Sequence, residues 1–147
     1  MSELLLLVTI AGARVVLPAA AIEGVVELDT LIPVPRAAPH VAGLSALRSR
    51  VLTVIDCQRS LGLEPAARSE GSREAVVAEL DGHFYALLVD SVEDVVEAVG
   101  ERAPLKAALG SGWQGAALGL VETDGGPLLL VDVAALVAGT SSIAAAA

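Results

Sequence analysis

The chain carries an internal repeat, and this feature limits the folds open to it more than any other. Residues 6–28 align without gaps on residues 76–98 at an offset of 70. A second match, at an offset of 76, places Val54-Ile55-Asp56 on Leu130-Val131-Asp132. Self-similarity at a fixed offset indicates two related structural units that pack together. The other matched positions are turn glycines and short valine-rich runs: Gly12 with Gly82, Val25-Val26-Glu27 with Val95-Val96-Glu97, and Gly43-Leu44 with Gly119-Leu120.

The two matches predict one domain, residues 1–147, made of two lobes. The first lobe spans about 4–68 and the second about 72–139, and a tail follows at 140–147. The rise in offset from 70 to 76 adds six residues to the second half, which we place between Gly100 and Gln114.

The local pattern favours a mainly β fold. Short apolar runs rich in valine are broken by Gly, Pro or Asp, and three hairpin turns are predicted at Ala11-Gly12, Asp81-Gly82 and Asp124-Gly125-Gly126. Several short strands at this spacing are typical of small β-barrels. Long amphipathic helical stretches are absent from the sequence, so we expect only a few short helices.

Three aspartates, Asp56, Asp90 and Asp132, each follow an apolar run. Such residues suit helix N-caps, because the carboxylate accepts hydrogen bonds from the free N–H groups of a starting helix. Asp90 also has Glu93 three residues on, which is the spacing of a capping box. A catalytic carboxylate set is the alternative interpretation.

The N-terminal segment has two interpretations. Leu4 to Ala13 is apolar and Ala19-Ala20-Ala21 resembles a cleavage site, which is the pattern of a signal peptide. The residues before the run are acidic rather than basic, however, and about ten residues cannot span a bilayer. We therefore predict a buried strand from Leu4 to Ile10.

Composition argues against several classes of function. With 18 acidic and 9 basic side chains the net charge is −9, which disfavours binding to nucleic acid and to anionic membrane surfaces. Aromatic residues make up only 2% of the chain, so a pocket lined by aromatic rings is hard to build. His40, Cys57 and His83 have neither a metal-ligand spacing nor a recognisable catalytic arrangement, and we predict no metal, no cofactor and no enzymatic activity.

The segment Leu47-Arg48-Ser49-Arg50 is a local basic spot in this acidic chain. It is either a solvated strand edge or a contact for an acidic partner surface.

The chain resembles the CheW-like family from about Leu4 to Val137. The resemblance rests on residues 41–56, on residues 85–95, and on Gly119-Leu120 followed by residues 128–132. These correspond to the family patterns G-[VL]-x-N-L-R-G-x-V-x-P-V-[IV]-D, then G-L-L-V-D-x-V-x-E-V, then G-V and L-L-L-D. Ala46, Ser49 and Thr53 stand where the family has Asn, Gly and Pro.

The resemblance implies two five-stranded barrels around a shared core and a cytoplasmic adaptor function. Such a protein couples the cytoplasmic tips of methyl-accepting chemoreceptors to a CheA-type histidine kinase, without inserting in the membrane. The alternative is a CheW-like regulatory module that controls a divergent histidine kinase outside chemotaxis.

The resemblance also assigns the expected binding residues. Val25, Glu27, Arg48 and Ser49 are expected at the receptor contact, in a groove between the lobes. Gly43, an expected position of close approach, is assigned to the kinase contact, where a related module would dock on the barrel ends.

Overall fold

The computed structural model describes residues 3–28, 31–63, 73–100, 103 and 111–139 of the chain. The predicted join near residues 68–72, most of the six-residue extension and the tail lie outside the described residues. The described residues form ten strands: β1 (Leu4–Ile10), β2 (Ala13–Pro18), β3 (Ile22–Leu28), β4 (Val41–Leu47), β5 (Arg50–Asp56), β6 (Arg73–Leu80), β7 (His83–Leu88), β8 (Ser91–Glu97), β9 (Ala117–Thr123) and β10 (Gly126–Val131). A 3-10 turn spans Ala19–Ala21, and the short helices are α1 (Cys57–Ser60), α2 (Ser111–Ala116) and α3 (Val133–Ala138).

The strands form two five-stranded sheets with the same internal order. Sheet A runs β8-β1-β2-β10-β9 and sheet B runs β3-β6-β7-β5-β4. Strands related by the sequence repeat occupy the same position in each sheet, and each sheet contains one parallel pair, β2–β10 in sheet A and β5–β7 in sheet B. The predicted mainly β class with a few short helices is confirmed.

The sheets do not coincide with the two sequence halves. Sheet A takes its β1–β2 hairpin from the first half of the chain and its other three strands from the second half. Sheet B takes its β6–β7 hairpin from the second half and its other three strands from the first half. The predicted lobe ranges of about 4–68 and 72–139 therefore do not describe the sheets. The hydrophobic pattern of a strand specifies which face is buried, but not which copy of a repeated hairpin it will pair with.

Closed barrels were expected, and strand pairing does not close either sheet in the described part of the chain. Instead, the segment that follows β3 (residues 31–34, called the bridge segment below) pairs with β4, and the segment that follows β8 pairs with β9. Ile32 exchanges two backbone hydrogen bonds of 2.8 Å with Leu44 on β4, and Ala103 does the same with Leu120 on β9. In sheet A, Val99 also donates a 2.6 Å hydrogen bond to the carbonyl of Glu122 on β9. The two edges of each sheet are thus drawn together by these few backbone contacts.

Three layers of apolar side chains hold the fold. The largest layer, called the shared core below, lies between the sheets, and smaller cores fill the concave side of each sheet. Representative members are Leu17, Ile55, Leu87 and Leu136 in the shared core, Leu5, Val16 and Leu130 in sheet A, and Leu52, Val54 and Val77 in sheet B. The expected shared core is therefore present, and the predicted strand Leu4–Ile10 contributes to it and to the core of sheet A.

The repeat is preserved in local geometry as well. Gly12 and Gly82 occupy equivalent hairpin turns with φ of +79° and +83°, a conformation that glycine adopts without steric cost. Asp56 and Asp132 end equivalent strands and cap α1 and α3: Asp56 accepts from the N–H groups of Gln58 and Arg59, and Asp132 from that of Ala134. Both capping predictions are confirmed.

The capping prediction is wrong for Asp90. Strand β8 follows this residue, and its carboxylate accepts a 2.9 Å hydrogen bond from the N–H of Gly12 in the β1–β2 turn. Gln58 donates to the other carboxylate oxygen at 3.2 Å. β-branched residues after Asp90 favour a strand over a helix, and the carboxylate is then satisfied by groups distant in sequence.

We expect Leu130→Ala to lower the free energy of unfolding by about 2–5 kcal/mol. Leu130 is fully buried in β10, where its side chain fills the core of sheet A, so truncation leaves a cavity. Chemical denaturation followed by circular dichroism measures the effect. Leu118→Ala is the matched control because Leu118, on the neighbouring β9, is 44% exposed. Equal losses for both variants would contradict the placement of Leu130 in the core.

Candidate functional site

Val25 and Glu27 lie on β3, an edge strand of sheet B, and both side chains are exposed. Val26, between them, turns inward and packs on the core of sheet B. Val25 pairs in register with Val76 of β6, which is buried in the shared core. Because neighbours in register share a face, Val25 and Glu27 face sheet A at the rim of the shared core.

Arg48 and Ser49 form the two-residue turn between β4 and β5, closed by the register pair Leu47 and Arg50. Both are exposed, and both have left-handed backbone conformations with φ of +49° and +71°. The turn conformation suits the twist of a hairpin but costs a residue with a side chain roughly 1–2 kcal/mol. The turn is therefore strained at two consecutive positions.

Gly43 is buried on β4, where the bridge segment lies antiparallel to the strand and pairs with Leu44 through Ile32. A methyl group here would collide with the carbonyl oxygen of Ile32. Gly119 repeats the arrangement on β9, where a methyl would lie 2.8 Å from the carbonyl oxygen of Ala103. The close approach expected at Gly43 thus exists within the chain, and the glycine lets the bridge segment lie against β4.

The structure distributes the predicted binding residues over three places in sheet B. Val25 and Glu27 share one face of β3, whereas Arg48 and Ser49 join the strands at the opposite edge. Three strands separate these edges within the sheet. Gly43 lies on the same strand as the turn but near its other end, about 17 Å from Arg48 at the usual rise of a strand.

A second exposed pair, Val95 and Glu97, was missed by the sequence reasoning. These residues occupy on β8 the positions that Val25 and Glu27 occupy on β3, and Val95 is 54% exposed against 44% for Val25. Val95 pairs in register with Leu6, a member of the shared core, so this pair also lines the rim between the sheets. The repeat could have predicted this pair, because an offset of 70 places Val95 and Glu97 on Val25 and Glu27.

The two edge strands approach each other at one end. The side chain of Glu74, the register partner of Glu27 on β6, accepts a 3.1 Å hydrogen bond from the N–H of Val92 on β8. The rim of the shared core is therefore flanked by two exposed valine–glutamate pairs, one from each copy of the repeat. Such a surface offers apolar area beside fixed negative charge, which suits protein binding better than catalysis.

A second missed feature is the position of Arg50. Its guanidinium carbon lies 4.3 Å from the centre of the Phe84 ring, within the range of a cation–π interaction. Phe84 packs in turn on the core of sheet B.

Two of the side chains considered for catalysis, His40 and Cys57, are buried in the fold. His40 is buried, and its Nε2 donates a 2.8 Å hydrogen bond to the Val137 carbonyl at the end of α3. Burial, with the nearby charges of Asp56 and Asp90, raises the pKa of the Cys57 thiol far above its ordinary value, although Arg73 opposes the shift. The thiol is therefore protonated and a poor nucleophile.

Among the described residues, no three His, Cys, Asp or Glu side chains come together as a metal site would require. The helices in the same part of the chain are all too short or too polar to cross a membrane.

Comparison with known proteins agrees with this architecture. The family model of the CheW-like domain matches residues 4–140. The crystal structure of the scaffolding protein TtCheW from Thermoanaerobacter tengcongensis superposes with a TM-score of 0.77 at 19% sequence identity, and the match covers 90% of each chain. A search of curated proteins finds no match.

We expect Gly43→Ala to destabilise the fold by about 1–3 kcal/mol, because the new methyl group must displace a backbone carbonyl. Gly24→Ala on β3 is the matched control, since nothing lies within 4 Å of the added carbon there. Thermal melts of both variants give the comparison. A Gly43 variant as stable as the Gly24 variant would show that the bridge segment does not lie on β4 as described.

Proposed function

The chain belongs to the CheW-like domain family, and from this premise we propose that it is a non-enzymatic adaptor that couples the cytoplasmic tip of a chemoreceptor to a CheA-type histidine kinase. The match of the family model over residues 4–140 carries the proposal. Coupling of this kind takes place in the cytoplasm and requires two separate binding surfaces on one rigid body.

The receptor surface is the rim of the shared core together with the basic turn. Val25 and Glu27 present an apolar group and a carboxylate side by side, and Arg48 presents an exposed guanidinium at the other edge of the same sheet. A mixture of apolar area and fixed charges of both signs gives a protein interface affinity and register. This arrangement supports binding of a receptor tip whose charges are complementary.

The kinase surface is the segment that crosses β4 at Gly43. Leu31, Ile32 and Val34 are 47%, 62% and 38% exposed, so this segment presents apolar side chains to solvent. Gly43 is buried beneath it and acts as a positioning residue, because its missing side chain lets the segment lie on the strand. An exposed apolar segment of this kind suits docking of a related β module.

We expect Arg48→Glu to weaken binding of the receptor tip by about 2 kcal/mol or more while the melting temperature changes by only a few degrees. Arg48 is exposed, so it contributes little to folding, and its reversal both removes an attraction and adds a repulsion. Isothermal titration of the variant with a soluble fragment of a cognate receptor measures the change. Arg59→Glu, which makes the same charge change on α1, is the control.

Equal affinities for the Arg48 and Arg59 variants would show that the receptor binds elsewhere. Retention of the histidine kinase but not the receptor by the Arg48 variant would agree with two separate surfaces. Loss of both partners with an unchanged melting curve would contradict their separation.

A further inference from the structure

The Arg48–Ser49 turn carries a second cation, Arg50, which is held in place by an aromatic ring. Stacking on Phe84 covers one face of the guanidinium and leaves the N–H groups along its edges available. The ring is itself fixed by packing on the core of sheet B. An arginine restrained in this way loses less conformational freedom when a carboxylate binds it.

Neither guanidinium, that of Arg48 or that of Arg50, is paired with a carboxylate in the part of the chain that the structure describes. By contrast, Arg14 pairs with Glu93 at 2.9 Å. In a chain with a net charge of −9, two exposed cations two residues apart form a local positive field. That field is complementary to an acidic partner and opposite in sign to the protein as a whole.

The basic character of this turn is not a property of the repeat. At an offset of 76 the equivalent residues of sheet A are Asp124-Gly125-Gly126, an acidic residue followed by two glycines. Arg48 and Ser49 instead hold left-handed conformations that glycine would adopt at lower cost. Neither Asp124 nor Gly125 has a positive φ, so the two turns differ in backbone conformation as well as in charge. Strain and positive charge therefore coincide at Arg48 and Ser49, which points to selection for binding at this turn.

An apolar neighbour completes the surface. Val51, which follows Arg50 on β5, is 63% exposed, and its register partner on β4 is the exposed Ala46. Successive strand residues point to opposite faces, so Val51 lies on the other side of the strand from the stacked guanidinium. A partner that wraps around the end of the hairpin would bury this valine on one side while its carboxylates meet the cations on the other.

We propose that Arg50, positioned by Phe84, is a specificity-determining residue of the receptor contact, where it and Arg48 together bind an acidic segment of the receptor tip. This inference rests on the proposed function and adds the chemistry of the partner at the turn. A planar guanidinium binds a carboxylate through two parallel hydrogen bonds, which a lysine ammonium cannot reproduce.

The test compares Arg50→Gln, Arg50→Lys and the control Arg59→Gln for binding to a soluble cytoplasmic fragment of a cognate chemoreceptor, at low and high salt. We expect Arg50→Gln to weaken binding about tenfold and to make the affinity less sensitive to salt. Arg50→Lys keeps the positive charge but loses the planar guanidinium and its paired hydrogen bonds, so it should recover only part of the affinity. Arg59→Gln should bind like the natural protein.

Phe84→Leu tests the positioning role, with a melting curve to show that the fold persists. Because Arg50 remains, the salt dependence should stay close to that of the natural protein while the affinity falls by about threefold. An affinity equal to that of the natural protein would overturn the role of the ring. If Phe84→Leu does not fold, Phe84→Met, which also lacks the ring but fills the core with a flexible side chain, decides the same point.

The outcomes separate this inference from the proposed function. Binding by the natural protein, with Arg50→Gln equal to Arg59→Gln, overturns the role of Arg50 and leaves receptor coupling standing. Equal binding by Arg50→Lys and the natural protein overturns the requirement for a planar cation. Absence of binding by the natural protein overturns both proposals.

Discussion

Hydrogen bonding between strands from opposite halves of the chain is the constraint on which the rest of the structure depends. Each sheet has a central hairpin from one half and three strands from the other, joined through the parallel pairs β2–β10 and β5–β7. Neither sheet is complete without both halves, so most stabilising contacts are distant in sequence, which slows folding but ties the sheets into one unit. The shared core then buries one face of each sheet against the other.

This exchange explains which parts of the repeat stayed alike. Gly12 and Gly82 are kept in the turns because a side chain there would add backbone strain. Gly43 and Gly119 are kept on β4 and β9 because a side chain there would collide with the backbone of the segment that pairs with the strand. The exposed turns have diverged instead, to Arg48-Ser49 in one sheet and Asp124-Gly125 in the other. Divergence of surface turns on a conserved framework is compatible with the two different binding surfaces that the proposed function requires.

Local structure was predictable from the sequence because its causes are local. A continuous apolar run located β1, hairpin glycines located the turns at Gly12 and Gly82, and Asp56 and Asp132 cap helices as their positions predicted. The exchange of hairpins was not predictable, because both copies of the repeat have the same pattern. The capping prediction failed at Asp90 because its carboxylate binds the N–H of Gly12, a residue distant in sequence that a local spacing does not reveal.

In the candidate site, too, some residues could be named from the sequence and others needed the strand pairing. Val25 and Glu27 were named from a resemblance, and their counterparts Val95 and Glu97 followed from the repeat but needed the register of β8 to show that they are exposed at the same rim. The contact between Arg50 and Phe84 joins residues 34 positions apart and depends on the pairing of β5 with β7, which no sequence pattern encodes.

In the proposed receptor contact, the acidity of the protein as a whole increases the value of the basic turn. With a net charge of −9, the protein as a whole repels an acidic partner, whereas Arg48 and Arg50 together form a local attraction at the turn. Repulsion elsewhere therefore disfavours misplaced encounters, and the turn favours one register. The hairpin turn fixes the backbone of Arg48, and the Phe84 ring holds the guanidinium of Arg50, so less conformational freedom is lost when an acidic segment binds.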